Sequence, residues 1–164
     1  MSKTPTGRLV PRGDLNDIVL TREFHAPLAE VWAAITEPER LAPWIGTWSG
    51  DPATGTVDFL MTAEGATEPS AMEVLRCHAP TGLTVRQDLN GDAWTLYLDL
   101  EEEDGVTTLT FEQRDLTAEA ASDVGPGWEY YLDRLVASET GGDVGAVAWD
   151  DYYPALKEHY TAEG

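Results

Sequence analysis

One cysteine, three histidines and ten basic residues in 164 positions exclude several kinds of protein. With Cys77 alone no internal disulfide can form, which suits a reducing cytoplasm, and a cytoplasmic location is expected. His25, His78 and His159 stand at no metal-type spacing from one another or from Cys77, so neither a metal site nor a cofactor is expected. No run of about 18 apolar residues is present to span a bilayer, and the first seventeen residues hold no apolar core of the kind a secretory leader carries. G-x-S-x-G, glycine-rich phosphate-loop and H-E-x-x-H motifs are absent. Thirty acidic residues against ten basic ones give a formal net charge of -20. Such a surface repels phosphate backbones and anionic headgroups, which argues against nucleic-acid and membrane partners.

What remains is enough apolar material, 42% of the residues, for one domain with a sizeable core. Residues 1–14 are polar and rich in Pro and Gly and read as a loose arm. Residues 15–140 carry the domain pattern, and 141–164 form an aromatic extension expected to pack on the same domain or on a second copy of the chain.

Ile18, Leu20, Arg22 and Phe24 alternate with Val19, Thr21 and Glu23 as a first strand. Leu28, Val31, Trp32 and Ile35 form one face of a short helix. Thr36 to Glu39 reads as a T-x-x-E capping box starting a second short helix through Leu41. Thr47–Asp51, Val57–Met61, Met72–Cys77, Leu83–Leu89, Trp94–Leu100 and Leu109–Gln113 then read as strands, with turns at Pro80-Thr81, Asn90-Gly91 and Asp104-Gly105. Turns this close together predict an antiparallel meander with one apolar face. Gly125-Pro126-Gly127 predicts a chain break. Beyond it Trp128, Tyr131, Leu132, Leu135 and Val136 predict a helix of roughly thirteen residues, about 20 Å long, ended by Gly141-Gly142. This is the one long apolar helix face available to cover the sheet. Pro154 interrupts the tail, so a turn and a short helix over Ala155–Tyr160 are expected.

The order of strand, two short helices, six strands and a long helix is shared with helix-grip proteins. Arg22-Glu23-Phe24-His25-Ala26-Pro27, Val31-Trp32, Ile35 to Leu41 and Trp44 resemble the opening of the SRPBCC (START-like) superfamily. The nearest likeness is to the domain related to the C-terminal part of activator of Hsp90 ATPase. Gly127-Trp128, Tyr131-Leu132 and Leu135 resemble that family's final helix. The resemblance implies an α+β fold of START/Bet v 1-like type, a curved antiparallel sheet of six to seven strands around a long C-terminal helix, with a deep cavity between them. Relatives of this superfamily include lipid carriers, hormone receptors, polyketide cyclases and co-chaperones. The fold alone therefore assigns no activity.

The expected cavity lining is Phe59, Met61, Met72, Val74, Trp94, Leu96, Leu98, Phe111, Trp128, Tyr131 and Leu135, any one of which also serves as ordinary core. Gln113, in phase with Leu109 and Phe111, either donates to a ligand carbonyl or bonds backbone at the sheet end. Arg22, in phase with Leu20 and Phe24, either meets a ligand carboxylate or reaches solvent; Arg76, in phase with Met72 and Val74, has the same alternatives and is expected to reach solvent. Cys77 is expected to be a buried or half-buried, unreactive thiol. The leading expectation is binding of a small hydrophobic or amphipathic molecule without turnover. A cyclase or dehydratase would instead need donors or acids converging in the cavity, with Tyr131 and His78 as its candidate catalytic groups alongside Gln113 and Arg22. A third reading, an Hsp90-associated or stress-related interaction protein, would use the aromatic tail.

Overall fold

Period-two alternation of apolar and polar residues drives the middle of this chain into strands. The computed structural model describes residues 6–89 and 92–161. In chain order the elements are β1 (Arg8–Arg12), β2 (Leu15–Phe24), α1 (Leu28–Thr36), α2 (Pro38–Leu41), β3 (Thr47–Ser49), β4 (Thr56–Leu60), β5 (Ser70–His78), β6 (Gly82–Leu89), β7 (Asp92–Glu103), β8 (Val106–Leu116) and α3 (Ala118–Thr140). The strands form one antiparallel sheet in the order β1-β2-β8-β7-β6-β5-β4-β3. With the long C-terminal helix, this is the element order of the helix-grip fold.

Eight strands stand where six or seven were expected. The addition is β1, within the segment read as a loose arm. It pairs from Arg8↔Val19 to Arg12↔Leu15. Pro11 and two arginines mask its strand character, and both are tolerated because β1 is an edge strand.

The chain divides into two compact units, one made of the residues up to Arg22 together with Thr110 onward, the other of Glu23–Leu109. In the central unit, Glu23–Leu109, α1 packs against β7 and its first-turn Leu28 N–H donates to the Glu102 carboxylate at 2.7 Å. Glu102, one of four consecutive acidic residues from Glu101 to Asp104, thus meets the positive end of a helix. The Thr36–Glu39 capping box does not form. Thr36 closes α1 instead, donating its hydroxyl to the Trp32 carbonyl, and α2 starts at Pro38 without a side-chain cap. Asp104 and Gly105, both at positive φ, make the expected turn. Asn90 and Gly91 lie outside the described residues, and β6 and β7 pair up to Leu89↔Asp92 on either side of them.

Between Val74 and Arg76 the β5–β6 register slips by one residue. Leu75 is the extra residue and is 52% exposed. This bulge corrects the phase expected for Arg76, whose expected reach to solvent holds. Past it, Arg76 leaves the face of Met72 and Val74 and sits opposite Thr84, where it pairs with Asp99 at 2.7 Å in solvent. Arg86 shares that outer side and pairs with its cross-strand partner Glu73. Cys77, expected to be at least half-buried, is exposed one residue from the strand end.

In the terminal unit, α3 overturns the expected break at Gly125-Pro126-Gly127. The helix begins at Ala118, capped by the Thr117 hydroxyl oxygen accepting from Ala120 N–H, and runs 23 residues with Pro126 inside it. At about 1.5 Å per residue it is about 34 Å long, well beyond the expected 20 Å. Gly125 is small for a tertiary reason: a Cβ there would fall under 3.0 Å from ring atoms of Tyr160. Gly141, at φ 77, ends the helix as expected, and Gly142 N–H bonds the Ala137 carbonyl. The tail makes single 3-10 turns at Val144–Ala146, Trp149–Asp151 and Lys157–Tyr160 rather than the expected helix over 155–160.

Candidate functional site

Glu129 is a heavily bonded side chain of the terminal unit and is 1% exposed. It receives the Thr6 N–H at 2.7 Å, the Gly7 N–H at 3.2 Å, the Tyr160 hydroxyl at 2.6 Å and the Thr6 hydroxyl. The Arg22 guanidinium, 8% exposed, stands 3.2 Å from Glu129 and 3.1 Å from Asp133. Tyr152 donates to the other Asp133 oxygen at 2.6 Å. His159 Nε2 lies 2.7 Å from the Gly7 carbonyl.

Burial alone would raise the Glu129 carboxyl, but the hydrogen bonds from Thr6, Tyr160 and Gly7 outweigh it and hold the group below its ordinary value. The phenols of Tyr152 and Tyr160 are pushed well above theirs, by burial first and then by the carboxylates they serve. A carboxylate with its lone pairs filled is a poor general base, and such phenols are poor acids. This cluster therefore fastens the two ends of the chain to α3 and offers no proton at neutral pH.

Arg22 thus neither meets a ligand carboxylate nor reaches solvent. Sequence reading missed its partner Glu129. The signal was present, since Glu129 stands three residues before Leu132 and seven before Val136, inside the arc of the apolar stripe.

The second buried polar pair of this unit is different in kind. β8 alternates so that Leu109, Phe111 and Gln113 are all buried. Gln113 is 0% exposed, and its Oε1 accepts the Trp128 indole N–H at 2.7 Å. Its Nε2 has no hydrogen-bond partner. Aromatic rings surround the pair: Phe111 lies 4.5 Å from Trp128 between centroids, and Tyr131 lies 5.9 Å from Trp128. Leu135, also expected as lining, is buried on the same helix.

The other expected lining residues belong to the central unit, where the register places them together. Val74, Val85 and Leu96 form one row across β5, β6 and β7. Met72 lies beside Val57, and Trp94 and Leu98 flank Leu96 at alternate positions. Phe59 and Leu98 are buried, whereas Met72, Val74, Trp94 and Leu96 are only half-buried. Met61 falls just past the end of β4 and is half-buried too. His78 is exposed at the end of β5. Among the described residues no three His, Cys, Asp or Glu side chains gather as a metal site, and no helix is long and apolar enough to cross a membrane.

A model of the family described as activator of Hsp90 ATPase homolog 1-like protein matches residues 25–138. The chain belongs to that family. It is accordingly an SRPBCC domain, as its opening residues suggested. The match contains Gln113, Trp128, Glu129 and Asp133, whereas Thr6, Arg22, Tyr152 and Tyr160 lie outside it. Among similar solved structures is CalU16 from Micromonospora echinospora, with 27% identity and a TM-score of 0.69 over 93% of this chain and 94% of that one. EF2215 from Enterococcus faecalis shares 20% identity at a TM-score of 0.72, covering 94% of this chain and 87% of its own. DynU16, a protein of the dynemicin biosynthetic locus, shares 23% identity at a TM-score of 0.60 over 81% of this chain and 50% of that one. The last two likenesses concern the fold alone. No curated protein matches in sequence.

Proposed function

We propose that this family member binds a small hydrophobic or amphipathic molecule. The observation that carries the reading is the apolar face of the central unit. Met72, Val74, Trp94 and Leu96 lie together on neighbouring strands, yet remain half-exposed in the protein alone. Large apolar side chains left partly in water forfeit transfer free energy of about 25 cal/mol per Å2, which a ligand covering them recovers. Two of the four groups named for a cyclase weigh against turnover: Arg22 is committed to Glu129 and Asp133, and His78 faces solvent.

The neutral fluorescent probe N-phenyl-1-naphthylamine tests this reading by titration. Saturable binding to the wild type is expected. Leu96→Glu should weaken it by about tenfold or more, because a carboxylate at the centre of the face is desolvated by any apolar ligand. Circular dichroism and the unfolding midpoint verify that the variant is folded. Absence of saturable binding to the wild type, or equal binding by a folded Leu96→Glu protein, would refute the proposal.

A further inference from the structure

We infer that the outer face of Trp149 is a docking point for an arginine on a basic segment of a partner protein. Trp149 is 42% exposed, one of two large apolar side chains so open among the described residues. Single apolar residues at a surface are ordinary, but Trp149 is the open end of a run of four rings within the terminal unit. Buried Tyr152 meets Tyr130 edge-on at 5.6 Å, and Tyr130 meets Trp149 edge-on at 5.1 Å. Trp149 then stacks on Tyr153 at 5.6 Å, with 20° between the planes.

The run is anchored from below. Tyr152 donates to Asp133 at 2.6 Å, and Tyr153 donates to Asp123 at 3.1 Å. The far edge of the indole rests over Gly127, where an added Cβ would stand 3.8 Å away. Trp149 is therefore held in place before any partner arrives, and a ring already ordered loses little further freedom on binding.

The chemistry of the patch selects the chemistry of the partner. Both neighbouring tyrosines carry cations supplied by the chain itself: Arg134 lies 5.3 Å from the centre of Tyr130, and Lys157 lies 5.7 Å from that of Tyr153. Indole attracts cations more strongly than phenol, yet among the described residues no cation stands over Trp149. The surroundings are acidic. Residues 141–161 hold Asp143, Asp150, Asp151 and Glu158 against one lysine, Lys157, which is already paired with Asp123 at 3.0 Å. Asp150 follows Trp149 in the chain and is exposed. The net charge of -20 draws positive partners toward the whole molecule. Arginine fits better than lysine, because a flat guanidinium stacks on an indole while its N–H fork serves a neighbouring carboxylate. Tryptophan and arginine are also the side chains that most often dominate the binding energy of protein interfaces. A second copy of this chain fits less well, since both copies carry the same charge.

Three six-residue peptides test this, alternating glycine with arginine, with lysine or with glutamate. Each is titrated into the full chain at low ionic strength, and the indole N–H resonances are followed by NMR. The signal of Trp149 is identified by its loss in Trp149→Phe. The arginine peptide should bind saturably, shift the Trp149 resonance and bind more tightly than the lysine peptide, and the glutamate peptide should not bind. Trp149→Ala should weaken the arginine peptide by about two- to fivefold, the value for an exposed cation–π contact, and remove its advantage over lysine. Circular dichroism and the unfolding midpoint verify the fold. Should Trp149→Ala not fold, Trp149→Phe decides, because it keeps a ring on Tyr153 and should weaken the arginine peptide by a smaller factor.

Unchanged arginine-peptide binding by a folded Trp149→Ala protein overturns the inference and assigns the attraction to net charge alone. Absence of saturable binding to the wild type also overturns it, as do equal affinities for the arginine and lysine peptides. A Trp149 resonance that shifts with protein concentration in the absence of peptide, together with a dimer in sedimentation, overturns it by giving the face to a second copy of the chain.

Discussion

Glu129→Ala is expected to lower the unfolding free energy by about 3–5 kcal/mol, the range for removing one partner of a buried ion pair. The loss is large because it is shared. Arg22 keeps Asp133 as its carboxylate partner, and the Thr6 and Gly7 amides and the Tyr160 hydroxyl all lose their acceptor. Denaturant unfolding measures it; a change under about 1 kcal/mol would mean that the network is not formed in solution. Glu129→Gln separates charge from shape, because its amide keeps an oxygen for some of these donors.

The pH dependence has a definite sign. The Glu129 carboxyl is held below its ordinary value of 4.5 in the folded chain. Its contribution is therefore complete above that pH and is lost as the pH falls through the lower folded value. The stability gap between wild type and Glu129→Gln should be constant near neutrality and narrow on acidification below 4.5. A gap that widens in acid would contradict the assignment.

The two glycines flanking Pro126 should respond to alanine with opposite signs. Both are inside α3, where Gly→Ala ordinarily stabilises by up to about 1 kcal/mol. Gly127 should follow that rule, since the nearest atoms to an added Cβ are those of Trp149 at 3.8 and 4.0 Å. Gly125 should break it. A methyl group there lands on the Tyr160 ring, which is fully buried, and overpacking of this kind costs about 1–3 kcal/mol. If Tyr160 moves, its hydrogen bond to Glu129 goes too, so the loss should sit at the upper end of that range. In a Tyr160→Ala background the clash disappears, and Gly125→Ala should become neutral or stabilising. Equal effects at 125 and 127 would show that the tail does not lie on the helix.

These two sites also mark where the sequence could be read and where it could not. Strands β4 to β8 were legible because one sheet face is apolar and the period is two. The Asp104-Gly105 turn was legible because only a few residues tolerate its positive φ. The start of α3 was misread for a physical reason. Gly-Pro-Gly is locally a helix breaker, and what keeps it helical is packing against a tyrosine 35 positions beyond Gly125. Arg22 and Glu129 are likewise 107 residues apart, so neither advertises the other. The β5 bulge moved Arg76 across the sheet, which strict alternation cannot foresee. Gln113 was visible as a polar residue in apolar phase. That its oxygen would be taken by Trp128 and its nitrogen left over depends on the angle at which α3 presents an indole, which no local pattern encodes.

Ligand binding has a direct readout in native mass spectrometry of the freshly purified protein, compared with the same sample under denaturing conditions. A bound small apolar molecule predicts a native mass above that of the chain, with the excess released on denaturation and recoverable into organic solvent. A native mass equal to that of the bare chain, from protein that also gives no thermal stabilisation with N-phenyl-1-naphthylamine, would contradict it.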